Sequence, residues 1–279
     1  MSTANVNGID LYYDVAGSGD PLLLIMGLAA DSRAWLFQVP DFARHYRTLT
    51  FDNRGVGRSS KPAGPYTIHE MADDAAGLLE TLDIAPAHVV GVSMGGMIAQ
   101  ELALRHPQRV RSLVLACTFP EPDADVEQQR QFSVSQFGGQ ISATGEMQID
   151  VQALDPLQFF QHLLPRVFNQ SFIDAELPKL IQLFSGALEY GFSLEAILGQ
   201  VQAVMSHRTT DRLHRITVPT LVLTGDADLL VPPANSDILA RHIPGAKLIT
   251  VPGGSHGFNF ETPAVFNGHV LEFLANVTG

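Results

Sequence analysis

Val89-Val90-Gly91-Val92-Ser93-Met94-Gly95-Gly96 is the most informative segment of this chain. Its apolar start is typical of a buried strand, and residues 94–105 have the composition of a helix. A strand that turns at once into a helix forces Ser93 into a tight bend, and the glycines two positions before and after it keep the neighbouring backbone clear. The hydroxyl is then exposed beside the first free N–H groups of a helix. The stretch therefore predicts a nucleophile elbow with Ser93 as the candidate nucleophile.

Short apolar runs alternate with helical patterns on both sides of this elbow. Asn7-Gly8 predicts an opening hairpin, because both residues tolerate a positive φ. Further strands are predicted at 22–25, 48–51, 89–92, 113–117, 221–224 and 248–251, and helices at 34–43, 68–82, 94–105, 236–241 and 263–275. Such alternation implies a parallel sheet covered on both faces, with ligands at the carboxyl ends of the strands. Ser93 follows one of those strand ends.

About a hundred residues between Cys117 and Leu221 interrupt the alternation. They contain helical patterns and many bulky apolar side chains, but no convincing buried strand. A structureless loop of that length is implausible in a compact domain, so the pattern predicts a helical cap over the active edge of the sheet. We expect most of its apolar side chains to form a small core of their own and a minority to face a pocket.

Composition excludes several classes of protein. The chain has 279 residues, a net charge of −12 and 46% apolar residues, which argues against nucleic acid or an anionic membrane as a partner. The start of the chain lacks the pattern of a signal peptide, and no run of about 18 apolar residues occurs, so we expect a cytoplasmic protein without membrane contact. The single cysteine, Cys117, lies in an apolar run and is interpreted as a buried core residue.

Candidate partners for Ser93 follow the last two predicted strands. A serine hydroxyl needs an imidazole base, and the imidazole needs a carboxylate to fix its tautomer and to stabilise its cation. His256 combines a strand-end position with nearby glycines, which none of the other nine histidines does. Asp226 and Asp228 both follow the preceding strand. The order Ser93, Asp228, His256 is the one expected for this type of fold, and Asp226 is the rival acid.

These motifs together make the chain resemble α/β-hydrolase fold serine hydrolases, in particular small carboxylesterases and enol-lactonases. They occur in family order as Leu24-Ile25-Met26-Gly27-Leu28, Asp52-Asn53-Arg54-Gly55-Val56-Gly57-Arg58-Ser59, the elbow, residues 225–232 and residues 253–256. The resemblance implies a mostly parallel eight-stranded sheet with helices on both faces and a helical cap insertion. It divides the chain into a core of 1–118 and 211–279 and a cap of 119–210, and it favours Asp228 over Asp226 as the acid.

The oxyanion hole is expected to use the backbone N–H groups of Leu28 and Met94. Met26 stands where the family usually has a histidine, which puts the rigidity of this loop in doubt rather than its donors. The loop 52–59 contains glycines but lacks a phosphate-binding lysine motif, so we interpret it as a structural turn. Eight residues are candidates for contact with substrate: Gly27, Phe119, Phe137, Phe160, Leu164, Phe184, Leu229 and Phe258.

The predicted reaction is hydrolysis of carboxylic esters with small to medium, largely apolar groups through an acyl-enzyme. Lactonase, carbon–carbon bond hydrolase and cofactor-free perhydrolase or haloperoxidase activities use the same triad and remain alternatives, whereas a non-catalytic binding relative does not need all three groups. Neither a metal nor another cofactor is expected, because metal-ligand and dinucleotide motifs are missing. The partner is thus a small ester or lactone; a homo-oligomer is neither indicated nor excluded.

The charge of the predicted cap favours a neutral substrate. Residues 119–210 contain four basic and eleven acidic side chains, a net charge of −7. A cap of that sign repels an anionic substrate. The candidate exception is Arg166, which could anchor a carboxylate if its side chain faced the pocket.

Overall fold

A central eight-stranded sheet organises the molecule. The structure is a computed structural model and describes residues 2–122, 140–141, 147–148 and 156–278; the side chains of 140–141, 147–148, 156–160, 162, 183–189 and 278 are outside the description. The strands are β1 (Ser2–Val6), β2 (Ile9–Ala16), β3 (Asp20–Ile25), β4 (Tyr46–Phe51), β5 (Ala87–Val92), β6 (Val110–Ala116), β7 (Thr220–Gly225) and β8 (Lys247–Val251). A separate two-stranded pair joins Gln140–Ile141 and Met147–Gln148.

The strand order is β1-β2-β4-β3-β5-β6-β7-β8. The first pairing, β1 with β2, and the next, β2 with β4, are antiparallel, and all others are parallel. The predicted hairpin turn is present, with Asn7 at φ 51° and Gly8 at φ 80°. Because β3 to β8 run in the same direction, their carboxyl ends meet at one edge of the sheet. The predicted fold class is confirmed.

Helices connect the strands on both faces. They are α1 (Val39–Phe42), α2 (Ile68–Thr81), α3 (Met94–Arg105), α4 (Pro156–Val167), α5 (Gln170–Glu189), α6 (Leu194–Ser206), α7 (Ala234–His242), α8 (Phe258–Glu261) and α9 (Pro263–Thr278). The single helix predicted at 34–43 is divided into a 3₁₀ turn, Ser32–Trp35, and α1. Pro40 explains the break, because a proline fits only the first turn of a helix. Within the described ranges, no helix is both long and apolar enough to cross a membrane.

Two hydrophobic layers cover the two faces of the sheet. Successive residues of β3 enter opposite layers: Leu22 and Leu24 belong to the cluster with α9, whereas Leu23 and Ile25 belong to the cluster with α2 and α3. This alternation is the two-residue period of a strand, applied to a sheet that is buried on both faces. It explains why the central strands read as continuous apolar runs.

Three described helices, α4 to α6, lie between β6 and β7, where the sequence predicts a cap. A small cluster of Leu164, Phe168, Ile173 and Leu180 packs within this insertion. Some apolar side chains of the insertion thus pack on one another as expected, and three of these four, Leu164, Phe168 and Leu180, also line a cavity at the carboxyl edge of the sheet. Treatment of 119–210 as a cap domain remains a prediction.

Candidate active site

Ser93 lies in the turn between β5 and α3 with φ 56° and ψ −123°. Few L-residues adopt such a conformation, and the two flanking glycines make it sterically accessible. A Cβ on Gly91 would lie 2.3 Å from the carbonyl oxygen of Gly95, and one on Gly95 would lie 2.0 Å from that of Ile25. Both distances are far below contact distance. The glycines of the motif are therefore required by close backbone approach around the elbow.

Asp228 and His256 meet at the carboxyl edge of β7 and β8. The Nδ1 atom of His256 is 2.9 Å from Oδ2 of Asp228, and both residues are buried. The other carboxylate oxygen, Oδ1, accepts hydrogen bonds from the backbone N–H groups of Leu230 at 2.9 Å and Val231 at 2.8 Å. These bonds fix the carboxylate, which accepts the Nδ1–H of His256. The opposite ring nitrogen, Nε2, is thereby left as the proton acceptor.

Asp226 has a different position from Asp228. Its Oδ1 accepts the backbone N–H of Gly253 at 2.6 Å, at the start of the loop that carries His256. The short side chain thus ties the β7 and β8 loops together through a backbone hydrogen bond. Of the two candidate acids, Asp228 is the one hydrogen-bonded to the histidine.

Cys117 lies beside this pair, which the sequence interpretation missed. Its Sγ, a carboxylate oxygen of Asp228 and a ring nitrogen of His256 all lie within 4.8 Å of one another. Burial, and then the neighbouring Asp228 carboxylate, raise the pKa of the Cys117 thiol well above its ordinary value. The thiol therefore stays protonated beside the carboxylate. Cys117 directly follows β6, and β6 lies between β5, which leads to Ser93, and β7, which leads to Asp228. This position in the chain could have indicated that Cys117 lies near the site.

The loop after β3 lies against the nucleophile. A Cβ on Gly27 would lie 3.1 Å from Cβ and 3.6 Å from Oγ of Ser93, so this backbone approaches the serine closely. The Leu28 N–H follows it, and the Met94 N–H is the first of α3. Within the part of the chain that is described, neither N–H donates to another protein group. The two N–H groups that the sequence predicts as oxyanion donors therefore belong to segments that adjoin Ser93.

Two side chains from other parts of the chain hold the backbone of this loop. Asn53 donates from Nδ2 to the carbonyl oxygen of Met26 at 2.9 Å. Gln200, on α6, accepts the N–H of Ala29 at 2.9 Å. Met26 itself is buried in the hydrophobic layer. The loop is therefore anchored through its backbone, without the usual histidine.

The loop 52–59 has the structural role that the sequence indicates. Asp52 is fully buried and accepts hydrogen bonds from the backbone N–H groups of Ser32, at 2.9 Å, and Arg58, at 2.8 Å. Its carboxylate also pairs with the Arg58 guanidinium. These contacts join the loops after β3 and β4.

A cavity of about 210 Å³ opens at this edge of the sheet. Its polar lining residues are Ser93, His256 and Asn259, and its apolar ones are Met26, Gly27, Leu28, Ala29, Ala30, Ala34, Val92, Leu163, Leu164, Val167, Phe168, Leu180, Leu230, Gly257 and Phe260. The nucleophile and the histidine therefore share one largely apolar space. Among these lining residues, all of which are described, no side chain is a lysine or an arginine; Arg166 is not one of them.

The eight predicted contact residues have three outcomes. Gly27 and Leu164 line the cavity. Phe137 lies outside the described residues, and the side chains of Phe160 and Phe184 are also outside the description. The remaining three, Phe119, Leu229 and Phe258, have other surroundings.

Phe119, Leu229 and Phe258 do not line the cavity. Phe119 is buried in the layer of α2 and α3. The Asp228 turn directs Leu230 inward and leaves Leu229 at its tip, 64% exposed. In α8, Phe258 packs on Phe266, and Phe260 faces the cavity instead. Residues two apart on a helix point in nearly opposite directions. The sequence can therefore identify the segment that borders the cavity and still miss the side chain that faces it.

Comparisons with known proteins agree with the fold of this chain. The family model described as alpha/beta hydrolase fold matches residues 20–263. Among curated proteins, the "Putative carbamate hydrolase RutD" of Azorhizobium caulinodans is 32% identical over 279 residues, covering 99% of each chain. The match extends along the whole length of both proteins.

Solved structures are similar over a comparable span. The enol-lactonase from Burkholderia xenovorans LB400 has a TM-score of 0.84 and 29% identity, covering 98% of this chain and 100% of the other. A thermophilic esterase from Thermogutta terrifontis has a TM-score of 0.84 and 25% identity, covering 99% and 98%. These proteins differ in the reactions that their names state, while their chains share one architecture.

Proposed function

Because this chain belongs to the α/β-hydrolase fold family, we propose that it is a serine hydrolase that cleaves neutral carboxylic esters with small to medium apolar acyl groups. The observation that carries the proposal is the shared cavity. Ser93 and His256 line the same apolar space. Oδ2 of Asp228 lies 2.9 Å from Nδ1 of His256 and orients the imidazole. A nucleophile, a base and a group that orients the base are the components that acyl transfer requires.

The first half of the proposed reaction forms an acyl-enzyme. Oγ of Ser93 attacks the ester carbonyl carbon while Nε2 of His256 takes the hydroxyl proton, and Asp228 stabilises the imidazolium. The carbonyl oxygen becomes an oxyanion and accepts hydrogen bonds from the N–H groups of Leu28 and Met94. Collapse of this intermediate breaks the bond to the alcohol oxygen, which takes the proton from Nε2. The acyl group remains esterified to Ser93.

The second half releases the acid. Water gives a proton to Nε2 of His256 and attacks the acyl carbon, which forms a second oxyanion in the same site. Collapse breaks the bond to Oγ of Ser93, and Oγ recovers the proton from Nε2. The enzyme returns to its starting state, and the products are one acid and one alcohol.

The lining of the cavity supports a neutral substrate. Its walls are aliphatic and aromatic, and among its described lining residues there is no cation to pair with a carboxylate. The net charge of −7 over 119–210 acts in the same direction. Apolar walls favour acyl chains by up to about 0.8 kcal/mol per buried methylene until the space is full. We therefore expect short to medium acyl chains without a charged group.

Lactone hydrolysis is the second candidate, because the structure resembles the enol-lactonase from Burkholderia xenovorans. A lactone is a cyclic ester, so the same steps apply, and the leaving alcohol stays tethered to the acyl group. The two candidates differ in the substrate they prefer. The uncharged lining favours the ester over a lactone that carries a carboxylate.

Two measurements test the proposal. A fluorophosphonate probe should label wild type quickly, and Ser93→Ala should remain unlabelled and lose on the order of a millionfold in kcat toward p-nitrophenyl butyrate. Folded Ser93→Ala with near-normal turnover would exclude the mechanism. The second measurement compares kcat/KM for p-nitrophenyl butyrate and for a carboxylate-bearing enol-lactone. A higher value for the lactone would replace the ester proposal with the second candidate.

A further inference from the structure

We propose that Gln200 is a positioning residue. It makes the geometry of the oxyanion hole depend on how helix α6 packs against the core. This inference rests on the proposed function, because it concerns the loop that carries the Leu28 donor. It assigns to the insertion between β6 and β7 a role in catalysis besides enclosing the substrate.

The Gln200 side chain joins two parts of the core to α6. Its Oε1 accepts the backbone N–H of Ala29 at 2.9 Å, and its Nε2 donates to the carbonyl oxygen of Arg54 at 2.8 Å. The side chain is fully buried, with 0% exposure. A buried amide that uses both its donor and its acceptor has one orientation, because rotation would leave buried polar groups without partners.

Ala29 has an unusual backbone conformation in the loop after β3, which carries the proposed Leu28 donor. Its φ of 59° is left-handed, a conformation that L-residues other than glycine rarely adopt. It directly follows Leu28, and Gly27 packs on Ser93. The hydrogen bond to Gln200 therefore stabilises an uncommon backbone conformation one residue from a proposed oxyanion donor.

Arg54, the second hydrogen-bond partner of Gln200, is itself held in place by a buried carboxylate. The guanidinium of Arg54 makes two hydrogen bonds to the buried Asp74, at 2.5 and 2.8 Å. The neighbour of Gln200 on α6, Gly199, lies so close to Tyr66 that a Cβ there would be 3.1 Å from the ring. The hydrogen bond to Arg54 thus attaches Gln200 to the core. Because Gln200 belongs to α6, a displacement of α6 would also move the acceptor of the Ala29 N–H.

This arrangement predicts a specific kinetic signature. A shift of α6 removes the acceptor from Ala29 and lets the Leu28 N–H move away from the position of the oxyanion. Donors of an oxyanion hole act mainly on the transition state, so loss of their alignment lowers kcat more than it raises KM. A trifluoromethyl ketone reports on the same alignment, because its adduct with the serine carries an oxyanion.

The test compares Gln200→Met with Gln100→Met. Gln100 is also fully buried and makes two hydrogen bonds, to the carbonyl oxygen of Phe119 and with the Thr209 hydroxyl. Both bonds hold residues next to the ends of the insertion, and neither reaches the oxyanion loop. Gln100→Met therefore controls for general loosening. Activities are expressed per serine labelled by the fluorophosphonate, so that misfolded protein does not count.

We expect Gln200→Met to lose on the order of tenfold to a hundredfold in kcat, with a similar rise in the inhibition constant of the trifluoromethyl ketone and little change in KM. Gln100→Met should keep wild-type values per labelled serine. Equal effects in both variants, or unchanged kcat and inhibition constant in Gln200→Met, would overturn the positioning role. If Gln200→Met does not fold, Gln200→Ser takes its place with the same readouts.

The measurements distinguish a failure of the Gln200 proposal from a failure of the proposed function. Wild type that neither reacts with the fluorophosphonate nor hydrolyses esters would overturn the proposed function. Wild type that does both, with Gln200 variants that keep wild-type kcat and inhibition constant, would overturn only the role of Gln200.

Discussion

Single atoms decide whether the turn at Ser93 can form. The backbone of Gly95 approaches β3 so closely that the smallest possible side chain, a methyl group, would overlap the Ile25 carbonyl oxygen at 2.0 Å. Ile25 is the last residue of β3 and pairs with Gly91 of β5, so its backbone cannot move away without disturbing the sheet. This glycine is therefore a steric requirement of the elbow, and a substitution there tests the packing directly.

We expect Gly95→Ala to lower the free energy of unfolding by about 3 kcal/mol or more, because overpacking at this point forces backbone shifts. The control is Gly268→Ala in α9, where a Cβ meets no atom within 4 Å. That change should raise stability by about 0.5–1 kcal/mol, since alanine is the better helix former. Urea denaturation of both variants measures the difference. Equal stability of Gly95→Ala and wild type would contradict the close approach.

The two aspartates give a second test at the scale of a residue. Asp228→Asn keeps an oxygen for the N–H groups of Leu230 and Val231 and turns its NH₂ group toward His256. The imidazole then needs its proton on Nε2, where it cannot act as a base. We expect a loss of roughly ten-thousandfold in kcat. The measurement is ester hydrolysis normalised to folded protein.

Asp226→Asn is the matched control. Its remaining carbonyl oxygen can still accept the Gly253 N–H, so activity should stay close to that of wild type. If Asp226→Asn loses activity and Asp228→Asn retains it, the acid is assigned to the wrong residue.

At the scale of elements, α4 is attached directly to the loop of the histidine. The N–H of Gly257 donates to the carbonyl oxygen of Val167 at 2.7 Å, and a Cβ on Gly257 would lie 2.3 Å from the ring of Phe168. Phe168 also lines the cavity and packs edge-to-face on Phe260. One aromatic side chain thus joins the small core of the insertion to the wall of the cavity.

Phe168→Ala should therefore change both stability and specificity. We expect a loss of about 3 kcal/mol in unfolding free energy and a shift of the preferred p-nitrophenyl ester toward longer acyl chains, because the cavity gains volume. Phe172→Ala is the control, since Phe172 contacts Phe168 without lining the cavity. It should cost stability and leave chain-length preference unchanged. An unchanged preference in Phe168→Ala would show that this residue does not limit the acyl site.

Two buried histidines make the stability of the folded chain depend on pH. Burial, and then Arg111, lower the pKa of His88 to about 4. Burial, and then Arg212, lower the pKa of His207 to about 3. Unfolded histidine has a pKa near 6.5. At these two sites the unfolded chain therefore binds more protons than the folded one below about pH 6.5.

It follows that the contribution of these two histidines to stability is fully present above pH 6.5 and decreases as the pH falls toward 4. Each histidine should contribute about 2 kcal/mol to the loss between pH 7 and pH 5. His88→Gln and His207→Gln should each be less stable at pH 7 and show a weaker pH dependence. His45→Gln, at an exposed position, is the control and should keep the wild-type slope. Urea denaturation at the two pH values measures these slopes, and identical slopes in all variants would contradict the assignment.

Patterns along the chain predicted the sheet, the elbow and the segments that supply Ser93, Asp228 and His256. These features depend on local constraints: apolar periods define strands and helices, and glycines mark where backbones approach one another. Strand ends also define the edge where the three residues come together. The confirmed fold class follows from those patterns and from the resemblance that their order supports.

Which neighbouring side chains face the cavity, and which contacts hold its walls, depends on how the distant segments pack. Leu230 replaces Leu229, and Phe260 replaces Phe258, because one or two residues of rotation in a turn or helix redirect a side chain. The bond between Gln200 and Ala29 joins residues 171 positions apart. No local pattern encodes such a contact, since it exists only when the insertion packs on the core. The physical reason is that local sequence determines backbone geometry, whereas the packing of distant segments determines each side chain's partners.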